Sequence, residues 1–298
     1  MTEPPSPLPP SRHMRTDPHW TLRTANQSDR EIISTLLSSA QWKHQHLDWV
    51  NALDLLGETP YLLALEHGLL VGCLACPPDQ PTVAWLRLFA VAGGYTPSHL
   101  WGQLWPEASV QAVSAGATQA AILLSGDWLA PLLLQSGFKH TNDVIFLEWR
   151  GDAPPHVPLE RGHIRLMRSE DLPIAAEVDR RSFNLIWQHS LDTLRKAVRL
   201  SAIATVVECD GKPVGYQVST ASIYGAHLAR LAVAPEWQGH GMGKALVSDL
   251  LRRFNQRGMY RVSVNTQADN EPSLQIYRRL GFHQTGSRYP VYQIRLSA

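Results

Sequence analysis

Residues 231–245 read LAVAPEWQGHGMGKA, and the fold turns on how they are read. The apolar run through Ala234 stops at Pro235, which has no N–H to give to a sheet ladder. A polar turn follows, then Gly239, Gly241 and Gly243, then Lys244 and a helix with Leu246, Leu250, Leu251 and Phe254 on one face. Each glycine lacks a Cβ and lets the backbone bend or come close to another group. The N–H groups of such a turn, with those of the helix start, form a concave set of donors. That is an anion site, most often for phosphate.

Two nucleotide readings fail on counted residues. A P-loop needs a glycine, four residues, then Gly-Lys-Ser/Thr. Counting back from Gly243-Lys244, the first glycine falls on Gln238, and Ala245 stands where the hydroxyl belongs. A dinucleotide fingerprint starting at Gly239 puts its third glycine on Lys244.

Around this turn the second half reads as a strand at 163–167, a helix from Ser169 through Phe183 and a helix at 191–200. A hairpin about Asp210-Gly211, a strand at 226–234, the glycine turn and a helix at 242–256 follow. A strand at 260–265, a helix capped by Asn270 and a strand at 290–296 complete it. The first half repeats the order: strand 21–23, a helix from Gln27, a helix at 42–56, a hairpin about His67-Gly68, strand 82–91, helix 99–114, strand 118–124, helix 128–135 and strand 142–149. Ala90-Val91-Ala92 matches Ala232-Val233-Ala234 at an offset of 142, and Gly137-Phe138-x-x-Thr141 matches Gly281-Phe282-x-x-Thr285 at an offset of 144. The chain therefore reads as a tandem duplication of the α/β (α+β) class. Residues 1–18 are a proline-rich disordered tail, 19–150 a first unit, 151–162 (GDAPPHVPLERG) a linker and 163–298 a second unit. Where the second half has PEWQGHGMGKA the first has GGYTPSHLWGQ, with His99 and Trp101 at the places of Gly241 and Gly243. One site of this kind is expected, not two.

Composition narrows the classes. A net charge of +1 supplies no basic field for nucleic acid, and no apolar run is long enough to span a bilayer. The N-terminal stretch has no apolar h-region. Cys73-Leu-Ala-Cys76 lacks a second pair, and its two thiols point to opposite faces of a strand-like run, so neither zinc nor a redox pair is read there. Three cysteines without a signal peptide fit a cytoplasmic protein. No metal is expected.

The pattern that fits the turn is Gln/Arg-x-x-Gly-x-Gly/Ala, carried by Gln238, Gly241 and Gly243. This resembles the acetyl-CoA motif of the GNAT acetyltransferase superfamily. Asn270 to Phe282, NEPSLQIYRRLGF, resembles the family's second signature, an Asn-capped helix carrying Tyr277 and ending in Gly-Phe. The resemblance implies two tandem GNAT-like domains, each a mixed, splayed central sheet flanked by helices, with the first lacking the CoA motif. It implies acetyl-CoA as co-substrate, its pyrophosphate on the N–H groups of Gly239, His240, Gly241, Met242, Gly243 and Lys244, and its pantetheine along the exposed amides of Leu231, Ala232 and Val233. Gln238 braces the turn, and Asn270 is a helix cap, a CoA contact, or both.

For catalysis the resemblance points Tyr277 at the CoA sulfur as proton donor; the bland reading is a buried structural tyrosine. Leu133, 144 residues earlier, cannot donate a proton. His227 shares a face with Ala229, Leu231 and Val233 and is the candidate general base, imidazole being suited to neutral pH. The ribosomal-protein alanine N-acetyltransferases that this half resembles carry a catalytic Glu where Asn265 stands here, so the base is His227 or a water relay. Phe183, Trp187 and His189 line the acceptor pocket or belong to the core. The expected activity is direct acetyl transfer, in a ternary complex, to a primary amine of a small molecule or a peptide N-terminus, with neither nucleic acid nor membrane as partner. The alternative is a catalytically silent CoA-binding sensor or interaction module.

Overall fold

The computed structural model describes residues 20–46, 49–80 and 82–297; the tail read at 1–18 lies outside the described residues. In the first half the elements are β1 (Trp20–Thr24), α1 (Arg30–Ser39), β2 (Trp42–Gln45), β3 (Tyr61–Glu66), β4 (Leu69–Ala75), β5 (Pro78–Gln80), β6 (Val83–Trp85), β7 (Leu88–Val91), α2 (Pro97–Ser114), β8 (Gln119–Leu123), α3 (Ala130–Gln135) and β9 (Lys139–Arg150). The second half holds β10 (His163–Leu166), α4 (Leu172–Ser182), α5 (Leu191–Leu200), β11 (Ile203–Cys209), β12 (Lys212–Ser222), β13 (Gly225–Val233), α6 (Met242–Asn255), β14 (Arg261–Gln267), α7 (Glu271–Arg279) and β15 (His283–Arg295).

The duplication is visible in side chains as well as in element order. Arg23 clasps Asp29 with both terminal nitrogens, at 2.7 and 2.5 Å, and Arg165 clasps Asp171 in the same way at 2.7 and 2.9 Å. Each aspartate also accepts the N–H three residues before it, from Asn26 and from Arg168. Both hairpins turn through two residues of positive φ, His67-Gly68 and Asp210-Gly211, the geometry that suits the twist of paired strands.

Both halves splay a strand pair, and they treat the opening differently. β13 and β14 run parallel from Ala226↔Val262 to Leu228↔Val264 and then part. On the other side of β13 the register with β12 shifts, from Val218↔Arg230 to Ser219↔Leu228, so Ala229 is an additional residue that bends the strand away. Past Leu228, the β14 side of β13 has no strand against it at 230–233 among the described residues, while β12 stays paired along the other side. In the first half β6 runs parallel to β8 from Val83↔Gln119 to Trp85↔Ala121, and the chain then crosses at Leu86-Arg87 into β7 in the other sheet. There the corresponding edge is filled: β2 pairs antiparallel with β7 from Trp42↔Val91 to Gln45↔Leu88.

This corrects two readings. The helix read at 42–56 is absent: the described residues of that stretch form β2 and a short 3-10 turn at Ala52–Leu55. Residues 82–91 are two strands in two sheets. The reason in both cases is the open edge of β7, whose backbone groups need partners when buried.

The sheets do not divide at 151–162. One has the order β1-β3-β4-β7-β2, and the other runs β10-β11-β12-β13-β14-β9-β15-β8-β6-β5 across both halves. β9 stands between β14 and β15, and β15 goes on to pair with β8. Residues 151–162 lie along α6, where the Ser248 hydroxyl donates to Pro155 O at 2.5 Å and accepts from Val157 N at 3.1 Å.

Candidate active site

The glycine turn is built as its φ angles demand. Gly239 (φ 81°) and Gly241 (φ 79°) are left-handed, and a Cβ at either would meet nothing within 4 Å. The requirement there is on the backbone, and the space beside it is open. Gly243 serves packing: a Cβ would come 3.1 Å from Ile276 Cδ1, so this glycine lets α6 close on α7. Gln238 Nε2 donates to Val233 O at 2.9 Å and ties the turn to the end of β13. His240 is exposed, with Nδ1 3.0 Å from Gln238 O. Met242 is buried and Lys244 half-buried. Ala245 N donates to Gly241 O at 2.9 Å, whereas the N–H groups of Met242, Gly243 and Lys244 have no acceptor among the described residues.

The parted strands open into a cavity of about 530 Å³. Leu231, His227, Asn265, Asn270 and Tyr277 all line it. Ala232 is buried on the opposite side of β13 among residues of α4 and α5, and its backbone faces Tyr216 in the β12 ladder, so it does not present the open amide expected of it; Val233 is half-buried beside Gly243 and offers the open edge backbone only.

Tyr277 is 3% exposed, and its hydroxyl has no hydrogen-bond partner among the described residues. Burial pushes its pKa up, so the phenol keeps its proton at neutral pH. Asn270 caps α7: Oδ1 accepts from Ser273 N at 3.3 Å, and Nδ2 donates to Thr266 Oγ1 at 3.0 Å. Its side chain is committed within the fold.

His227 is half-buried, with Nδ1 2.9 Å from Ser263 Oγ. Ser263 Oγ also donates to Ala226 O at 3.3 Å, an arrangement that suits the tautomer with the proton on Nδ1. Burial lowers the imidazole pKa below its ordinary 6.5, with the Asn265 amide opposing that shift. The ring is therefore neutral at pH 7.

A buried ion pair that sequence reasoning missed fixes the segment opposite. Arg230 donates to Asp179 from Nε (2.7 Å) and Nη2 (2.8 Å), and to Trp187 O at 2.6 Å. Asp179 also accepts from the Tyr216 hydroxyl at 2.5 Å and from His189 N at 2.9 Å. Phe183 lies under the guanidinium, 3.5 Å from Cζ to the ring centre. Residues 183–189 are thereby pinned to β13. A charge inside the alternating strand LARLAV was the sequence signal for this network.

The first half contributes to the same cavity through Trp49, Asp79, Trp85, Arg87 and Phe146. Trp85 Nε1 donates to Ile186 O at 3.0 Å, and Asp79 Oδ1 accepts from Ser190 Oγ and Thr193 Oγ1, both at 2.8 Å. No group of His, Cys, Asp and Glu with metal-holding geometry occurs among the described residues. Within them no helix is long and apolar enough to cross a membrane.

Residues 172–282 match the family described as "Acetyltransferase (GNAT) family". This segment, less than half of the chain, carries the similarity to the GNAT superfamily of acetyltransferases. It is 24% identical over 129 residues to the [ribosomal protein bS18]-alanine N-acetyltransferase of Escherichia coli (strain K12), an alignment covering 43% of this chain and 86% of that protein. Among solved structures, a GCN5-related N-acetyltransferase from Sphaerobacter thermophilus superposes with a TM-score of 0.63 at 16% identity, covering 95% of this chain and 97% of that one. A tandem GNAT protein from the clavulanic acid biosynthesis pathway gives the same TM-score and identity over 94% and 99%. The fold is thus that of tandem GNAT proteins across nearly the whole chain.

Proposed function

We propose that the protein transfers an acetyl group from acetyl-CoA to a primary amine by direct attack within a ternary complex, at one site in the second half. The observation that carries this reading is the contrast between the two splayed edges. The edge of β7 is closed by β2, while that of β13 at 230–233 is open beside the unpaired N–H groups of Met242, Gly243 and Lys244. Those N–H groups, at the positive end of α6, suit a pyrophosphate. The open edge suits an amide-bearing arm that pairs like a strand.

His227 Nε2 accepts the proton of the attacking amine as the N–C bond forms. Tyr277 donates its proton to the sulfur as the C–S bond breaks, leaving an amide and a free thiol. Both side chains line the cavity, the histidine neutral and the phenol protonated.

The test is release of thiol from acetyl-CoA with a panel of amines. Release above hydrolysis supports the reading. If acetyl-CoA raises the melting temperature but no amine raises thiol release, the enzyme reading fails and a silent CoA-binding module replaces it.

A further inference from the structure

Aromatic rings from both halves line the cavity around His227. Phe146 from β9 lies 6.3 Å from the imidazole at an interplanar angle of 27°, and Tyr289 from β15 lies 5.3 Å from Phe146. Trp85 from β6 and Trp187, which follows α4, stand 5.4 Å apart at 49°. The indoles are set before any ligand arrives. Trp85 Nε1 is bound to Ile186 O, and the Trp187 carbonyl is held by Arg230. With the Trp85 polar atom satisfied, the indole offers the cavity apolar ring surface. The charged groups facing the same space are the guanidiniums of Arg87 and Arg230 and the carboxylate of Asp79. Arg230 is spent on Asp179, and one oxygen of Asp79 on two hydroxyls. A polycationic acceptor gains little there. A cavity of about 530 Å³ that also admits an acyl-bearing arm leaves room for a compact body.

We infer that the acceptor is a small primary amine carrying a flat, aromatic-sized apolar body, gripped at the junction of the two halves by Trp85 and Trp187. This rests on the acetyl-transfer reading and adds the substrate class to it. It also gives the first half a part in acceptor selection.

The experiment compares arylalkyl amines, unbranched alkyl amines of equal length, a polyamine and an Ala-initiated peptide as acceptors in the full-length protein. Thiol release is read for the unaltered chain, Trp85→Leu and Trp187→Leu. The expected result is a preference of roughly tenfold or more in kcat/KM for the aryl amines over the alkyl ones. Trp187→Leu, which removes an indole nitrogen without a partner among the described residues, should abolish the preference through KM for the amine and leave KM for acetyl-CoA in place. Trp85→Leu should act in the same way if it folds. Equal or better use of alkyl amine, polyamine or peptide overturns the inference while leaving acetyl transfer intact, as does a preference unmoved by Trp187→Leu. If no amine is turned over, calorimetric titration of the aryl amines in the presence of CoA decides. Binding weakened by Trp187→Leu sustains the inference without the enzyme reading, and no binding, or binding that Trp187→Leu leaves unchanged, ends both.

Discussion

At Tyr277 the lack of a hydroxyl partner separates stability from chemistry. Tyr277→Phe removes no hydrogen bond of the described structure, so melting should shift little, while kcat falls about a hundredfold or more if the phenol is the proton donor. Parallel melting curves and single-turnover rates check this. For His227 the sign follows from its lowered pKa. A general base works unprotonated, so with His227 in that proposed role kcat/KM should rise with pH through a limb lying below 6.5 and then level. His227→Ala should lose that limb; an unchanged profile moves the base to a water relay. Asp179 is the opposite case. Fully buried and bonded to Arg230, Tyr216 and His189, it leaves a guanidinium stranded when removed. Asp179→Ala should cost about 3–5 kcal/mol in urea unfolding. The candidate residues of the motif stretches, Gln238 to Lys244 and Asn270 to Tyr277, could be read from one sequence because glycine spacing and an Asn cap are local signals. Arg230 with Asp179, and Trp85 with Trp187, are joined only in space, and no spacing rule reaches them.

At the level of elements, the turn before α6 asks for left-handed backbone at Gly239 and Gly241, with open space beside both. Gly241→Ala therefore meets no clash and still strains the backbone, by about 1–2 kcal/mol. Since the strain falls on the N–H groups proposed to hold the pyrophosphate, KM for acetyl-CoA should rise more than the melting temperature drops; equal effects on both would argue for a packing role. The helices, both hairpins and β13 follow from period and turn residues. β2 does not. Its four residues, WKHQ, carry no alternation to speak of, and they become a strand because β7 presents an edge beside them. Tertiary demand overrides local preference at that point.

Across the whole molecule, the exchange of strands makes the halves one folding unit. β9 is flanked by β14 and β15, and its residues 145–149 alternate in burial much as they would in a sheet of the first half alone, so the sequence cannot say which sheet takes it. A fragment of residues 151–298 would leave β14 and β15 unpaired along the face that β9 fills. It should be recovered folded only when co-expressed with residues 1–150, and co-purification of the pair tests this. The intact chain should unfold in one transition seen alike by circular dichroism and tryptophan fluorescence.

The place of β15 bears on how the protein is made. Ribosomes deliver the chain from its N-terminus, and β8 and β9, complete by Arg150, must wait for residues 283–295 before their shared gap is filled. For nearly half of synthesis two apolar edges stand uncovered, a state that invites pairing with other nascent chains. Loss of the last dozen residues would extend that wait without end, so a late stop codon in this gene should send the product to inclusion bodies even though every residue of the glycine turn and of α7 had been translated.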